Sequence, residues 1–298
     1  MGQGRGDLLT EPLRSSVGAG ELPVATRPVV VIQPSQGWAA LNLRDLWEYR
    51  DLLYYMLWRE VKGRYRQMAL GPLWAILQPL VTIVVFSLLF GVIAKLPSDG
   101  LPYPVFAYSA LLPWNFFSSG ATRASGSLVQ SAGLITKVYF PRLVVPIAGV
   151  LSGLVEFVIS FVILVVLMLY VGRFPTPMVI FIPAYLLLAA AAGLAIGLWL
   201  AALTVRFRDV SHMVAFLLQF WMYATPVVYS SSVIPEQWRL LYHLNPMTAV
   251  IEGFRWALLG VGEGPGWSSV ASSAIVLAAL VSGAYFFRRT ERNIVDLV

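Results

Sequence analysis

From Leu73 to Ala94 the chain carries no charged side chain. Wound as a helix at ~1.5 Å per residue, this run is about 33 Å long, enough to cross a hydrocarbon core of roughly 30 Å. It reads as a transmembrane helix, and it fixes the surroundings of everything next to it. Directly before it lies a basic, aromatic segment with Arg59, Lys62, Arg64 and Arg66, and the pair Gly71-Pro72 stands at the join. Proline is tolerated in the first turn of a helix because its missing N–H would be unpaired there anyway. The chain therefore lies along a membrane surface, turns at Gly71-Pro72 and enters the bilayer.

Composition agrees. Hydrophobic residues make up 58% of the chain and charged residues 12%, against about 45–50% and 25% in soluble domains. An unusually apolar soluble globule is the weaker alternative, because several charge-free runs reach the length of a span. The expected fold is an all-α membrane protein with six transmembrane helices, near 73–94, 103–120, 143–170, 178–205, 213–229 and 267–287. An N-terminal interfacial amphipathic helix is expected over 41–66. Asn42 is its N-cap and Asp45 favours its dipole. Leu46, Tyr49, Leu53 and Leu57 form its apolar face, broadened by Tyr54 and Trp58. A re-entrant helical hairpin is expected at 233–259, because the pieces on either side of Asn245-Pro246 are each too short to span. Residues 1–40, rich in Gly, Pro, Ser and Val, read as a disordered cytoplasmic tail without the apolar core of a signal peptide.

Charge orients this topology. Of the 21 Lys and Arg residues, only Lys95, Arg173, Arg239 and Arg255 fall on the side opposite the termini, which leaves 17 on the terminal side. By the positive-inside rule both termini are cytoplasmic. The same clustering at membrane borders speaks against a nucleic-acid partner.

Several chemistries are absent from the sequence. There is no G-x-x-x-x-G-K-[ST] phosphate loop, and the lysines are Lys62, Lys95 and Lys137 alone. An ATP motor therefore has no place in this chain. Cysteine is missing, and His212 and His243 are too far apart for a helical zinc pair. No catalytic or metal-binding residue is expected.

Five motifs occur in order: RYRQ at 64–67, LGPLWAILQPL at 70–80, LPWNFF at 112–117, KVYFPR at 137–142 and LNPM at 244–247. In these the chain resembles the membrane subunit of ABC-2 transporters, in the branch that exports O-antigen, capsule and teichoic acid. The resemblance covers about residues 44–298. It implies a permease of the bacterial inner membrane that pairs with a second copy of itself and with two copies of a nucleotide-binding subunit. ATP and magnesium would bind to that partner, and the cargo would be a lipid-linked polysaccharide. A drug or lipid cargo is the alternative within the class. A polyprenyl-lipid membrane enzyme is a more distant one, since no paired carboxylates stand near a membrane face.

Three groups of residues are candidates for function. Tyr103, Phe106, Trp114 and Phe117 fall near one helical face, as do Phe216, Phe220 and Tyr223. Both sets are expected to line the substrate path, stacking on the apolar faces of sugar rings; ordinary packing or lipid contact is the competing reading. Arg59, Lys62, Arg64 and Arg66 are expected to capture a lipid pyrophosphate, with headgroup anchoring as the alternative. Lys137, Tyr139, Phe140, Pro141 and Arg142 form the expected coupling element, with the two rings filling a groove on the ATPase. Glu156, the acid inside a long span, is either functional or a structural carboxylate bonded to a neighbouring helix. GVLSG (149–153) and GLAIG (193–197) are small-xxx-small pairs that suit close helix packing. The missing phosphate loop carries a first prediction: the purified chain, assayed alone in vesicles, hydrolyses ATP no faster than background.

Overall fold

The computed structural model describes residues 47–65, 73–138, 140–207, 209–262 and 264–291. The expected tail at 1–40, the Asn42 cap, the Gly71-Pro72 join, Arg66 and Tyr139 lie outside the described residues. Among the described residues all regular structure is helical. Four segments are long and apolar enough to cross a membrane: Trp74–Ile93, Val144–Tyr170, Pro177–Arg206 and Trp267–Thr290. They correspond to four of the six expected spans.

Helix α1 (Arg50–Tyr65) packs its Leu52, Leu53 and Met56 side against a later helix and leaves Tyr54, Tyr55 and Trp58 exposed. The packed face is thus narrower than the periodicity predicts, because Tyr54 and Trp58 point away from the protein. Helix α2 (Trp74–Phe86) contains Pro79 and runs on into a π-helical stretch, Ser87–Ile93.

Helix α3 (Tyr103–Gln130) is ten residues longer than the expected second span. The extension is rich in Ser, Thr and Gly and reads as a loop by composition. Its hydroxyls, however, turn back onto the helix. Thr122 Oγ1 donates to Ser118 O at 2.8 Å, Ser125 Oγ to Thr122 O at 2.8 Å, and Ser127 Oγ to Ala124 O at 2.7 Å. Self-satisfied hydroxyls of this kind let a polar sequence stay helical. A short turn, α4 (Ala132–Ile135), follows.

The third expected span is α5 (Val144–Leu151) and α6 (Gly153–Tyr170), broken at Ser152. The fourth is a 3₁₀ turn at Pro177–Phe181 leading into α7 (Ile182–Arg206). The fifth, α8 (Val210–Tyr223), has only 14 residues and stops short of the expected Tyr229. Pro226 accounts for the early stop: it lacks an N–H and disfavours helical backbone at Thr225. Helices α9 (Glu236–His243) and α10 (Pro246–Leu259) flank Asn245-Pro246, and α11 (Trp267–Glu291) ends the described chain.

The centre of the molecule is the long contact between α3 and α7, with α11 on α7, α5 on α3 and α1 on α5. The GLAIG motif makes the central contact close. A Cβ at Gly193 would come within 3.2 Å of Phe117 O, and one at Gly197 would overlap the Ala124 methyl. Small residues draw membrane helices together where there is no water to drive association. Helix α10 is no surface lip: Val250, Ile251, Phe254 and Leu258 are buried in the same core. Asn245 caps it, accepting from Met247 N at 3.1 Å and from Trp221 Nε1 at 3.0 Å, so that LNPM ties α10 to α8. Replacing Gly197 with Leu should force α3 and α7 apart. A loss of about 1–3 kcal/mol, typical of overpacking, is expected in detergent unfolding, whereas Leu at the exposed Gly63 should be nearly silent.

Candidate functional site

A cavity of about 570 Å³ opens beside α3, walled by α2, α6 and α8. Its α3 wall is polar. Asn115, Ser118, Ser119, Thr122 and Arg123 all line it, and their spacing puts them on one helical stripe. Gln78 of α2, Ser160 of α6 and Gln219 of α8 add polar atoms opposite. Aromatic periodicity led the sequence reading past this stripe, although i, i+3, i+4, i+7 is its own readable signal across the expected helix end at 120.

The charged residues of the cavity are Arg64, Arg123 and Glu156. Glu156 Oε1 accepts from Arg64 Nη1, and its Oε2 lies 3.6 Å from Arg123 Nη1. The acid inside a span is therefore set against two guanidinium groups. Arg123 is held independently: its Nε donates to Gly149 O at 2.8 Å and its Nη2 to Ser119 Oγ at 3.1 Å. Gly153 makes the space, since a Cβ there would overlap the Arg123 guanidinium. GVLSG thus seats a charged side chain, a role its composition does not announce.

The remaining basic candidates are dispersed. Arg59 Nη2 donates to Ser131 Oγ at 3.5 Å, and Lys62 Nζ sits 5.5 Å from the Trp58 ring centre. Neither lines the cavity that Arg64 reaches.

The two aromatic stripes are not brought together. Tyr103, Phe106, Trp114 and Phe117 are buried within one chain, and of these only Trp114 borders the cavity. Tyr103 OH donates to Val228 O at 2.8 Å, and the Phe106 ring lies 3.8 Å from the Arg255 guanidinium carbon. Trp114 and Phe117 meet Trp221 of α8 edge-on, with ring centres 6.4 and 5.3 Å away. Phe216, Phe220 and Tyr223 project from the other side of α8, each more than half exposed at 62, 60 and 51%. The reason is the helical period: Val214, Leu218 and Met222 take the inward face.

The expected coupling element divides as well. Lys137 is exposed, but Phe140 is only 4% exposed and packs with Met56 of α1 and Val144, Val145 and Ala148 of α5. The groove that Phe140 fills belongs to its own chain, between α1 and α5. An apolar ring finds more contact between two helices than at a polar surface.

A second cavity, about 450 Å³, lies at the other end beside α9 and α10, where Asp99, Tyr242, Thr248 and Glu252 line it. Asp99 accepts from Ser230 Oγ at 2.6 Å and Ser232 Oγ at 3.2 Å. Arg255 is buried and donates to Val227 O at 2.9 Å and Tyr229 O at 3.3 Å. His212 and His243 stand on separate helices, α8 and α9.

Residues 51–259 match the model of the ABC-2 type transporter family. The chain belongs to that family. Among its relatives, the O-antigen export system permease protein RfbA of Myxococcus xanthus is 34% identical over 84% of this chain and 96% of the relative. RfbA of Klebsiella pneumoniae is 28% identical over 69% of this chain and 79% of its own. The polysialic acid transport protein KpsM of Escherichia coli is 27% identical over 78% and 91%. The ABC-2 region takes in α1, the polar cavity, α9 and α10 alike. Within this ABC-2 chain, Phe140→Ala should cost about 3–5 kcal/mol, as for buried aromatics generally. Hydrogen exchange of the isolated permease should then rise in residues 50–65 far more than elsewhere, whereas a residue that met only a partner would leave it unchanged.

Proposed function

We propose that this chain is the membrane permease of an ATP-driven exporter that carries a lipid-linked polysaccharide, O-antigen-like in class, from the cytoplasm to the outer side of the bacterial inner membrane. The observation that carries this reading is the 34% identity to an O-antigen export permease along 96% of that protein's length. The polar cavity supports it, because a hydrated chain needs a wall other than hydrocarbon, and α3 supplies hydroxyls and an amide at helical spacing.

In this reading two copies form the pathway, and two copies of a separate nucleotide-binding subunit hold ATP and magnesium. Helices α3 and α8 complete six crossings, α9 and α10 form the re-entrant hairpin on the outer side, and both termini are cytoplasmic. Arg59, Lys62, Arg64 and Arg66 receive the anionic end of the cargo. Lys137 to Arg142 follow the motor. Phe140 passes that motion on within the chain, since it is wedged between α1 and α5. Aromatic rings contribute weak stacking sites of about 0.5–1.5 kcal/mol each: Trp114 at the cavity wall, and Phe216, Phe220 and Tyr223 on the exposed face of α8. Phe117 supports that wall from behind Trp114, and Tyr103 and Phe106 pack further along α3 beside Arg255.

The test replaces Trp114 and Phe220 with Leu in the producing bacterium. Leu keeps apolar packing and removes the flat ring. The expected result is normal expression and assembly with surface polysaccharide reduced at least several-fold. Polysaccharide at the parental level in the double variant would place the path elsewhere.

A further inference from the structure

The geometry points to a phosphate-class anion site made by Arg64 and Arg123, in which Glu156 is a built-in counter-ion that the ligand displaces. This inference rests on the export reading for its cargo but on the cavity alone for its chemistry. Three charged side chains line the cavity, two guanidinium groups and one carboxylate, so the cluster keeps a net positive charge. The carboxylate bridges both cations: Oε1 to Arg64 and Oε2 at 3.6 Å to Arg123. Two donors spread around one planar anion are also the arrangement that receives a phosphate or pyrophosphate, which offers more oxygens and at least one more charge.

Glu156 is free to leave in a way that Arg123 is not. Its side chain is 34% exposed, whereas Arg123 is 18% exposed and anchored to Gly149 O and Ser119 Oγ. Departure of the carboxylate leaves Arg123 in place, with the hydroxyls of Ser119 and Thr122 on the same wall and that of Ser160 opposite to meet a hydrated ligand. Arg64 sits in the last turn of α1 and reaches Glu156 across 92 residues of sequence. Exchange of Glu156 for a ligand would therefore transfer the grip on α1 from α6 to the cargo. A purely structural ion pair predicts none of this: its removal would lower stability and leave anion affinity alone.

The experiment uses the full-length chain in lipid nanodiscs at low ionic strength. Two probes are titrated, inorganic pyrophosphate in solution and a polyprenyl pyrophosphate carried in the bilayer. Glu156→Gln, which deletes the competing charge and keeps the shape, should bind the probe about tenfold more tightly. Arg123→Gln should weaken it at least tenfold, and Glu156→Asp should stay near the parental value. If Arg123→Gln does not fold, Arg64→Gln replaces it with the same expectation. Tighter binding of both probes identifies the site with the phosphate group itself, and tighter binding of the bilayer probe alone identifies a ligand arriving from the membrane. Unchanged or weaker binding of both probes by Glu156→Gln would overturn the inference. Should the affinities shift as expected while surface polysaccharide is unaffected in the Arg123→Gln strain, the anion site stands and the export reading falls.

Discussion

The close approach of α3 and α7 is the constraint on which the rest of the molecule depends. Lipid tails are as apolar as leucine, so apolar surface alone gives two helices no reason to choose each other. Gly193 and Gly197 supply that reason by letting α7 meet the α3 backbone at Phe117, Ala121 and Ala124. Once α3 is fixed at the centre, its other faces are free to do different things. One receives α5, another borders α8, and the remaining stripe of Asn115, Ser118, Ser119 and Thr122 lines the cavity.

A polar stripe inside an apolar bundle is tolerated because its hydroxyls make their hydrogen bonds locally. Ser118, Ser119 and Thr122 donate to carbonyls about one turn back, so the hydroxyls of the wall keep their remaining lone pairs to offer. Charge is handled differently. Arg123, Glu156 and Arg64 come from three helices and neutralise one another in part. A bridge of this kind contributes little to stability, but removal of one member exposes the others to the full desolvation cost. The cluster accordingly sets which arrangements of α1, α3 and α6 are permitted.

Where one physical rule acts alone, the sequence is a sufficient guide. Three of the four apolar segments were legible because absence of charge over a bilayer's width has few other meanings, and Val144–Tyr170 is apolar enough to be read despite Glu156. The existence of two short helices here was legible from Asn245-Pro246, an N-cap followed by a proline at the first helical position. Reading failed where two rules compete. The Ser-rich end of α3 looks like a loop until its hydroxyls are seen to bond backward. The α8 pattern looks longer than it is because Val227, Val228 and Tyr229 continue the apolar run past Pro226. Phe140 sits in a basic loop motif yet belongs to the core, since nothing in KVYFPR says which helix its ring will meet. The pairing of Arg64 with Glu156 lies beyond periodicity altogether.

The shortness of α8 has a consequence for the chain that follows it. Fourteen residues cover about 21 Å, well short of a ~30 Å hydrocarbon core. The chain beyond Tyr223 is irregular, and buried carbonyls left bare would each cost several kcal/mol. They are not bare. Val228 O receives the Tyr103 hydroxyl, Val227 O and Tyr229 O receive Arg255, and Tyr223 O receives the Tyr229 hydroxyl. Side chains from α3, α10 and the segment itself thus satisfy carbonyls that the end of α8 leaves without a helical partner. A helix end whose carbonyls are bonded by side chains from elsewhere is held by tertiary contacts, so its position follows the fold around it and not its own sequence.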